Sequence, residues 1–479
     1  MHDRIPQNQG VILDIGTAAK EGKIVIPPQL LEADRLRSAG EPDEALRICS
    51  AFLNDNYGHV PALTLAAHIL IDCERVGLAH ALMLAAHKLA PEEPVILNNL
   101  GICYEKAQNL DEAEKWFVKA LSRAPNDSLT LTNLGFVYLQ KGEVQKSMNC
   151  SEKAMRIAPK VPHARFNFGQ AQLLAGNFRE GWKNYEANLG KHMGRKERVY
   201  GQIPRWTGEA NGMTLIAYGE QGIGDEISFA SCIPDLQREN TVIIECDQRL
   251  ANLFRRSFKC DVYGTRYKKH GITWPHEHPV DATVAMGSLP GFYRNAVEDF
   301  PGTPYLTPDP ERCTQWRALL DSLGTKLKVG IAWTGGMNRT GTIRRSLDVE
   351  ELLPILRQDA TFISLQYVDC PEIEAVEERH GVRIHHWPHA TQTKDVDDQA
   401  ALMSQLDLVI TVQQTAVHIG GGLGVPTWAM IPKAPLWRYG LTGDSMPWYK
   451  CVKLYRQRAD WVHTIADVAN DLRKLIASK

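Results

Sequence analysis

PVILNNLGICYEKAQNLDEAEKWFVKALSRAPND, residues 94–127, is one unit of a motif that recurs at a constant step along the first part of the chain. The step is 34 residues, as the prolines show (125 − 91 = 34 and 159 − 125 = 34). It separates three prolines and three glycines: Pro91, Pro125 and Pro159, and Gly101, Gly135 and Gly169. A fixed period of this length predicts helical units that stack into an α-solenoid.

Within the unit, the apolar and small residues fit two helices joined by a turn. The first helix carries Leu100, Gly101 and Tyr104, and the second carries Ala113, Phe117 and Ala120. The pattern resembles the tetratricopeptide repeat, in which small residues let two helices approach closely. About five such repeats fit residues 26–195 after an N-terminal extension, 1–25, and this exceeds the roughly three repeats that a solenoid needs.

One position of the repeat is asparagine in three successive units, at Asn99, Asn133 and Asn167. On the concave face of the solenoid, these amides would form a ladder that donates and accepts hydrogen bonds. Such a ladder can hold an extended protein or peptide backbone as a partner. The alternative is that asparagine is common at this position and faces water.

After about residue 200, the period disappears and short apolar stretches alternate with helical ones. Strand candidates are TLIAYG (214–219), TVIIECD (241–247), stretches near Val262 and 282–286, KVGIAW (328–333), TFISLQ, VRIHHW, LDLVITV (406–412), PTWAMI and CVKLYR. Helical candidates are 224–236, DVEELLPILRQ and DDQAALMSQL. This alternation predicts an α/β region of two Rossmann-like halves, 196–310 and 311–479, separated by a segment rich in proline and glycine near 300–310. A cleft is expected at the carboxyl ends of the strands.

Two loops of the second half are suited to an anion. A strand ends at Val412 and a glycine-rich helix begins near Thr415, where free amides and the helix dipole attract negative charge. The stretch WTGGMNRTGTIRRSL (333–347) adds a Gly-Gly loop and the cations Arg339, Arg344 and Arg345. Two such loops favour a diphosphate, although glycine-rich turns also occur in any parallel sheet.

Three stretches resemble the motifs of GT-B glycosyltransferases related to the heptosyltransferases. They are GEQGIGDEISFASCIPDL (219–236), VGIAWTGG with RRSL, and VQQTAVHIGGGLGVPTW (412–428). Bacterial proteins join such a domain to tetratricopeptide repeats, and the O-GlcNAc transferases share this architecture. The resemblance implies an acceptor-side first half and a second half that binds a nucleotide-sugar. It implies a donor site at Thr334, Gly335, Gly336, Arg344, Arg345, Gln413, Gln414, Thr415 and His418.

The resemblance also implies that Asp225, of the Gly-Asp pair in the first loop-helix, is the base of an inverting transfer. A carboxylate that takes the proton of an acceptor hydroxyl suits this chemistry. Glu220 and Glu226 are neighbours that could share or replace this role. The alternative is that Asp225 only caps its helix, since aspartate is a favoured cap.

One residue departs from the related pattern, which usually has aspartate where this chain has Gln413. A neutral amide cannot hold a cation or repel a phosphate as a carboxylate does. The leading hypothesis is therefore a metal-independent glycosyltransferase with a protein or peptide acceptor. The alternatives are an inactive scaffold with a degenerate glycosyltransferase domain, and a transferase acting on lipopolysaccharide-type glycans.

The composition and short motifs argue against several other classes of protein. The formal net charge of −2 gives no basic field for nucleic acid, and ten scattered cysteines without a CxxC pair suit a reducing compartment. DVD (395–397) precedes a helix that its aspartates can cap, and HHWPHA (385–390) lacks ligand companions, so neither metal nor cofactor is expected. Charges interrupt the first residues and no long apolar run follows, so a cytoplasmic protein without a membrane span is expected.

Overall fold

The computed structural model of the protein describes residues 26–191, 195–209, 211–268, 273–277, 279–336, 342–367, 370–392 and 395–478. The described residues fall into two compact units, whose boundary in sequence lies between Gln172 and Leu173. We refer to them as the helical unit and the sheet unit. The N-terminal extension predicted for residues 1–25 lies outside the described residues.

The helical unit consists of antiparallel helix pairs. Its described helices are α1 (Pro28–Ala39), α2 (Pro42–Asp55), α3 (Val60–Asp72), α4 (Val76–Leu89), α5 (Pro94–Lys106), α6 (Leu110–Arg123), α7 (Ser128–Gln140), α8 (Val144–Ile157) and α9 (Pro162–Leu174), which runs across the boundary. From Val60 onward, the first helix of each pair begins 34 residues after the start of the first helix in the preceding pair (94 − 60, 128 − 94 and 162 − 128). The predicted period is therefore the period of the helices.

Small residues allow the two helices of a pair to pack closely, as the sequence predicts. A Cβ atom on Gly101 of α5 would lie 2.6 Å from the Phe117 ring of α6, so only glycine fits there. Ala113 and Ala120 of α6 are completely or almost completely buried on the same side. Proline in the first turn of α5 and the Asp127 side chain, which caps α7 by accepting from the Thr130 amide, fix where these helices begin.

Helix α10 (Phe178–Tyr185) belongs to the sheet unit, although the sequence assigns it to the repeats, which were expected to extend to residue 195. Its aromatic side chains explain this. The Trp182 indole N–H donates to the Arg294 carbonyl oxygen at 2.7 Å, and its ring packs edge-on against Trp437 at 5.2 Å. These contacts tie α10 to the sheet unit.

The first sheet of the sheet unit is parallel. In its described strands, the order is β3 (Val262–Tyr263), β2 (Thr241–Glu245), β1 (Thr214–Tyr218) and β4 (Ala282–Ala285). The helices around it are α11 (Ile223–Ala230), α12 (Ile233–Leu236), α13 (Ala251–Phe258) and α14 (Leu289–Tyr293). Because β2 and β4 flank β1, the chain changes direction across the sheet next to β1.

The second sheet is mixed. Its described strands have the order β10 (Ser445–Met446), β11 (Tyr449–Arg456), β9 (Thr427–Ile431), β8 (Leu408–Val412), β5 (Lys328–Ala332), β6 (Thr361–Ser364) and β7 (Ile384–His385), and only β10 is antiparallel. The helices are α15 (Pro310–Asp321), α16 (Thr342–Arg345), α17 (Leu353–Leu356), α18 (Glu372–His380), α19 (Pro388–Thr391), α20 (Asp397–Met403), α21 (Thr415–Leu423) and α22 (Trp461–Ala477).

The core of this second sheet lies between its strands and helix α22. Val329 and Ile331 of β5 and Ile410 of β8 are fully buried, and they share one cluster with Val468 and Leu472 of α22. Strands that are apolar on both faces are typical of a parallel sheet covered on both sides. The core therefore fixes the carboxyl ends of β5 and β8 beside each other.

Two predicted helices are interrupted, and the reason is the same in both. The helix predicted over 224–236 is divided into α11 and α12, with Pro234 in the first turn of α12. The helix predicted over 348–358 is a 3-10 turn, Val349–Leu352, followed by α17, which has Pro354 in its first turn. Proline lacks the backbone N–H that a continuous helix needs.

Candidate functional site

The second sheet has a change of direction between β5 and β8. From β5, the chain adds β6 and β7 on one side, and it then returns to place β8 on the other side. In open α/β sheets, ligands bind outside the carboxyl ends of the strands at such a point. The two loops that the sequence predicts for the donor, Thr334–Gly336 after β5 and Gln413–Thr415 after β8, both start there.

Gly335 shows how closely the predicted donor segments approach each other. A Cβ atom at this position would lie 2.8 Å from the Gln413 carbonyl oxygen and 3.2 Å from the Arg345 carbonyl oxygen. The Gly335 amide donates to the Ser346 hydroxyl at 3.1 Å. Absence of a side chain at Gly335 therefore brings three of the predicted donor segments together.

Two further residues support this loop, and the sequence did not single them out. The Thr334 amide donates to the Gln366 side-chain oxygen at 3.3 Å, and the Tyr367 hydroxyl donates to the Gly336 carbonyl at 3.0 Å. Both side chains follow β6, the neighbour of β5. The only signal in the sequence is their position at the end of the strand candidate TFISLQ, of which Gln366 is the last residue and which Tyr367 follows.

Gln413 is buried with its amide unused. The residue is 1 % exposed, and neither its oxygen nor its nitrogen has a hydrogen-bond partner among the described residues. The amide nitrogen of Gln366 is in the same state within the described ranges. Buried amides normally find partners, so these atoms have hydrogen-bonding capacity that the described residues do not use.

Helix α21 begins at this place without a side-chain cap. Its N-cap residue is Gln414, whose side chain donates to the Thr411 hydroxyl at 3.2 Å and makes no capping hydrogen bond. Thr415 itself is half-buried. Backbone amides at an uncapped helix start suit an anion.

The glycines of α21 keep the helix close to its neighbours, as the sequence predicts. A Cβ atom on Gly421 would lie 2.3 Å from the Tyr449 ring, and one on Gly422 would lie 2.6 Å from Leu306. Gly424 follows the last residue of the helix with φ +80°, a left-handed conformation that ends helices. These contacts fix the direction of the helix start.

The predicted cations Arg344 and Arg345 lie at the end of α16. Arg345 is 9 % exposed, and burial lowers the pKa of its guanidinium, which also interacts electrostatically with Tyr439 and Asp225. Arginine stays charged in proteins, so this is a buried positive charge at the loop. Arg339 lies outside the described residues.

His418 is neutral at neutral pH. Burial, together with the positive charge of Arg438, lowers the pKa of its imidazole to about 3. Its Nδ1 atom shares a hydrogen bond with the Tyr449 hydroxyl at 3.2 Å. The Tyr449 hydroxyl in turn lies 3.3 Å from the hydroxyl of Tyr305, which donates to the Ile227 carbonyl. His418 thus offers a ligand no positive charge, and its chain of hydrogen bonds links α21 to α11.

Asp225 lies in the first turn of α11, a helix that packs against α21. One carboxylate oxygen accepts from the Gly222 amide at 2.9 Å, which is the cap that the sequence offers as an alternative role. The other oxygen is paired with the Arg438 guanidinium. A Cβ atom on neighbouring Gly224 would lie 3.3 Å from both the Thr415 hydroxyl and the His418 ring. The structure therefore brings the predicted base to the predicted donor residues, with the carboxylate side chain 24 % exposed.

Glu220 and Glu226 are buried in ion pairs instead. Arg195, which is fully buried, donates to the Glu220 carboxylate at 3.0 Å. Glu226 is paired with Arg266 and accepts from the Asp247 amide at 2.9 Å; burial raises the pKa of this carboxyl to about 7. A catalytic role for either glutamate stays a prediction, and Asp225 is the accessible carboxylate of the three.

Arg438 is a third residue of this site that the sequence did not single out. Its side chain is 5 % exposed, and its guanidinium lies over the Trp437 ring at 4.3 Å and the Phe229 ring at 5.0 Å. Its Nε atom has no hydrogen-bond partner within the described part of the chain. The stretch PLWRYG is more than two hundred positions from Asp225, so no local pattern could have linked the two residues.

The asparagine ladder of the helical unit is buried. Asn99, Asn133 and Asn167 are 0 %, 5 % and 2 % exposed, so these amides do not face water. Asn133 donates to Asn98 at 3.0 Å, and Asn167 donates to the Thr132 carbonyl at 3.2 Å. The Nδ2 atom of Asn99 and the Oδ1 atom of Asn167 have no hydrogen-bond partner in the described ranges. The peptide-binding role of the ladder stays a prediction.

Two features are absent from the described residues: a cluster of metal ligands and a membrane-spanning helix. These residues contain no group of three or more His, Cys, Asp or Glu side chains placed to hold a metal ion. None of the helices in the same ranges is long and apolar enough to cross a membrane. The aspartate and histidine runs have other partners: Asp397 is paired with Arg256, and the His389 ring stacks on Trp316 at 5.3 Å.

Comparison with known proteins supports the prediction of tetratricopeptide repeats in the helical unit. A family model described as tetratricopeptide repeat matches residues 92–160. Protein FlbA of Caulobacter vibrioides is 32 % identical over 339 residues, which are 66 % of this chain and 56 % of FlbA. The chain thus spans little more than half the length of this relative.

Solved structures similar to the chain include the protein MamA, with 21 % identity and a TM-score of 0.29 over 34 % of this chain and 94 % of MamA. They also include a tetratricopeptide-repeat protein of Thermus thermophilus, with 20 % identity and a TM-score of 0.32 over 33 % of this chain and 88 % of that protein. The 34-residue helical period and the family match together assign the helical unit to the tetratricopeptide repeats, scaffolds that bind peptide or protein partners.

Proposed function

We propose that the sheet unit is a metal-independent, inverting glycosyltransferase of the GT-B type, related to the heptosyltransferases. The second sheet would bind a nucleotide-sugar, with its diphosphate at the start of α21. The single observation that supports the proposal is the approach of α11 to α21, in which Gly224, the neighbour of Asp225, lies against Thr415 at the change of direction between β5 and β8.

The proposed reaction uses the carboxylate and the anion site together. Asp225 takes the proton of an acceptor hydroxyl, and the freed oxygen pair forms a bond to the anomeric carbon of the sugar. The bond between this carbon and the diphosphate oxygen breaks, and the nucleoside diphosphate leaves with the electron pair. The amides at the start of α21 and the buried guanidinium of Arg345 stabilise the charge that develops on the leaving group.

Charge at this site is needed because the helix dipole alone is weak. A helix start contributes about 0.3–2 kcal/mol to anion binding. Micromolar affinity corresponds to about 8 kcal/mol. Arg345, which is 9 % exposed, supplies a cation in a site of low polarity, where it interacts with an anion more strongly than in water.

We further propose that the repeats recruit a protein or peptide acceptor. Tetratricopeptide repeats bind peptide or protein partners, and an extended backbone presents the alternating donors and acceptors that such a scaffold can hold. A backbone held in this way would be recognised with little regard to its side chains.

The second candidate is a scaffold without transferase activity. Gln413 favours it, because the related pattern has a carboxylate here and this chain has a buried amide. In that case the repeats bind partners and the second sheet has lost its donor.

A panel of nucleoside diphosphates separates the two candidates. Adenosine, guanosine, uridine and cytidine diphosphates are each added to the full chain, and thermal unfolding and calorimetric titration are recorded. A diphosphate at a hundred times its dissociation constant should stabilise the protein by about 2.7 kcal/mol. If none of the four binds, the transferase proposal is contradicted and the scaffold is favoured.

The matched variants are Arg345→Ala and Arg317→Ala. Arg345 lies at the candidate site, whereas Arg317 lies on α15, where it donates to Gln405 at 2.9 Å. Each variant removes one positive charge. The first should weaken the diphosphate by at least about tenfold and the second by less than about twofold.

A further inference from the structure

The Asp225–Arg438 pair joins the two sheets of the sheet unit at the candidate site. Asp225 stands in the first turn of α11, next to the first sheet, and Arg438 lies in the segment that follows β9 of the second sheet. The pair is largely removed from water, since the two side chains are 24 % and 5 % exposed. Arg438 also lies close enough to lower the pKa of His418 in α21. One guanidinium therefore lies between the predicted base and the predicted anion site.

The geometry leaves this guanidinium with hydrogen-bonding capacity. An arginine side chain has five N–H donors. The contact to Asp225 uses Nη2, and the buried Nε has no hydrogen-bond partner among the described residues. The Trp437 and Phe229 rings hold the group over their faces at 4.3 Å and 5.0 Å. The side chain is thus fixed in position, with donors that one carboxylate oxygen does not satisfy.

A carboxylate paired with a guanidinium is a weaker acceptor for a hydroxyl proton, because the cation stabilises its negative charge. One oxygen of Asp225 is occupied by the Gly222 amide and the other by the Arg438 guanidinium. If the Arg438 contact is lost, Asp225 can take the hydroxyl proton more readily. A diphosphate carries more negative charge than a carboxylate, and arginine binds phosphate oxygens in a bidentate manner. A donor at the start of α21 therefore competes with Asp225 for the same guanidinium.

We propose that Arg438 is shared between Asp225 and the donor diphosphate, so that donor binding releases Asp225 to act as the base. This inference rests on the proposed function. Before the donor binds, Arg438 holds the carboxylate. When the donor binds, Arg438 turns its donors to the diphosphate, and Asp225 keeps the Gly222 cap and frees one oxygen. The arrangement makes the base available only when the sugar donor is present. It therefore limits proton transfer from an acceptor that binds without the donor.

The test is a double-variant cycle on anion binding. Inorganic pyrophosphate and the four nucleoside diphosphates are titrated into the full-length wild type, Asp225→Asn, Arg438→Gln and the double variant. Asp225→Asn removes the competitor and should tighten pyrophosphate binding by about 3- to 10-fold. Arg438→Gln should weaken it by at least about tenfold. In the Arg438→Gln background, Asp225→Asn should change the affinity by less than about twofold, because no shared guanidinium remains.

A second aspartate–arginine pair of the sheet unit provides the control. Asp235 is paired with Arg294 at 2.5 Å, and its side chain is 13 % exposed. Asp235→Asn removes the same charge from a comparable pair and should leave pyrophosphate affinity within about twofold. If Arg438→Gln does not fold, Arg438→Lys replaces it. Lysine keeps the positive charge but lacks the planar guanidinium that binds phosphate in a bidentate manner, so Arg438→Lys should bind pyrophosphate less tightly than the wild type. Adding Asp225→Asn to Arg438→Lys should tighten pyrophosphate binding less than adding it to the wild type does.

The outcomes separate this inference from the proposed function. If no diphosphate binds the wild type, the glycosyltransferase proposal fails and this inference fails with it. If a diphosphate binds, but Asp225→Asn leaves its affinity unchanged or weakens it, the sharing of Arg438 is overturned while the transferase proposal stands. Tightening of equal size with and without Arg438 would also overturn it, because removal of simple charge repulsion then explains the effect.

Discussion

Gly224 of α11 and Thr415 of α21 approach so closely that a Cβ atom on the glycine would lie 3.3 Å from the threonine hydroxyl. This contact sets the distance between the candidate base and the candidate anion site. It joins an element beside the first sheet to an element that follows β8 of the second. The geometry of the candidate site therefore depends on glycine at position 224.

Gly224→Val should weaken nucleoside diphosphate binding by about tenfold or more, because a branched side chain must push α11 and α21 apart. Gly224→Ala should have a smaller effect in the same direction, since its Cβ atom requires shifts of only a few tenths of an ångström. Calorimetric titration measures both. Gly77→Ala is the control: Gly77 is also the second residue of a helix, and a Cβ atom there meets nothing within 4 Å.

Asp225→Asn should lower sugar transfer by about 10²–10⁴-fold, because an amide cannot take the acceptor proton. The measurement is transfer to a peptide library, followed by mass spectrometry with the donor that binds. Donor affinity should not fall in this variant. Full turnover by Asp225→Asn would remove this residue from the mechanism.

Gly101→Ala should destabilise the helical unit by about 1–3 kcal/mol, because its Cβ atom would lie 2.6 Å from the Phe117 ring. Chemical denaturation measures the free energy of unfolding. The double variant Gly101→Ala, Phe117→Leu tests the cause, since the smaller side chain gives the new methyl group room. The steric explanation is wrong if the double variant loses more unfolding free energy than the two single variants lose together.

His418 should make the sheet unit lose stability as the pH falls below about 6.5. Burial lowers the pKa of this imidazole to about 3, so the unfolded chain binds a proton in the range between the two values and the folded chain does not. Stability therefore rises with pH in this window, and between pH 6.5 and 5 it should change by about 2 kcal/mol.

The measurement for this prediction is the difference in unfolding free energy between the wild type and His418→Gln at each pH. Glu226 has the opposite effect, because its raised pKa of about 7 makes the folded chain hold the extra proton. That contribution is common to both proteins and cancels in the difference. A difference that does not vary with pH would show that His418 is not buried in its neutral form.

The sequence predicts the local elements well and the contacts between distant elements poorly. The 34-residue period, and strands β1, β5 and β8, follow from spacing and apolar runs within a few residues. The pairing of Asp225 with Arg438 has no such signal, because it depends on how two sheets come together. Likewise Gln366 is next to Thr334 only because β6 lies beside β5.

The boundary between the two compact units and the predicted end of the repeats differ for a similar reason. Helix α10 keeps the spacing of the repeats, starting 34 residues after α8 (178 − 144), so periodicity assigns it to them. Its Trp182 and Tyr185 side chains decide otherwise: Trp182 packs on Trp437, and the Tyr185 hydroxyl donates to Gln221 at 2.8 Å. From the sequence alone, an aromatic residue at a repeat position can pack either in the repeats or against the sheet unit.

The most direct test of the account is a crystal structure of the full chain with a nucleoside diphosphate that binds it. The account predicts phosphate oxygens within hydrogen-bonding distance of the Thr415 amide, with the Arg438 guanidinium turned from Asp225 toward the diphosphate. A diphosphate bound elsewhere, with no phosphate oxygen at the start of α21 and the Asp225–Arg438 pair intact, would contradict the transferase interpretation.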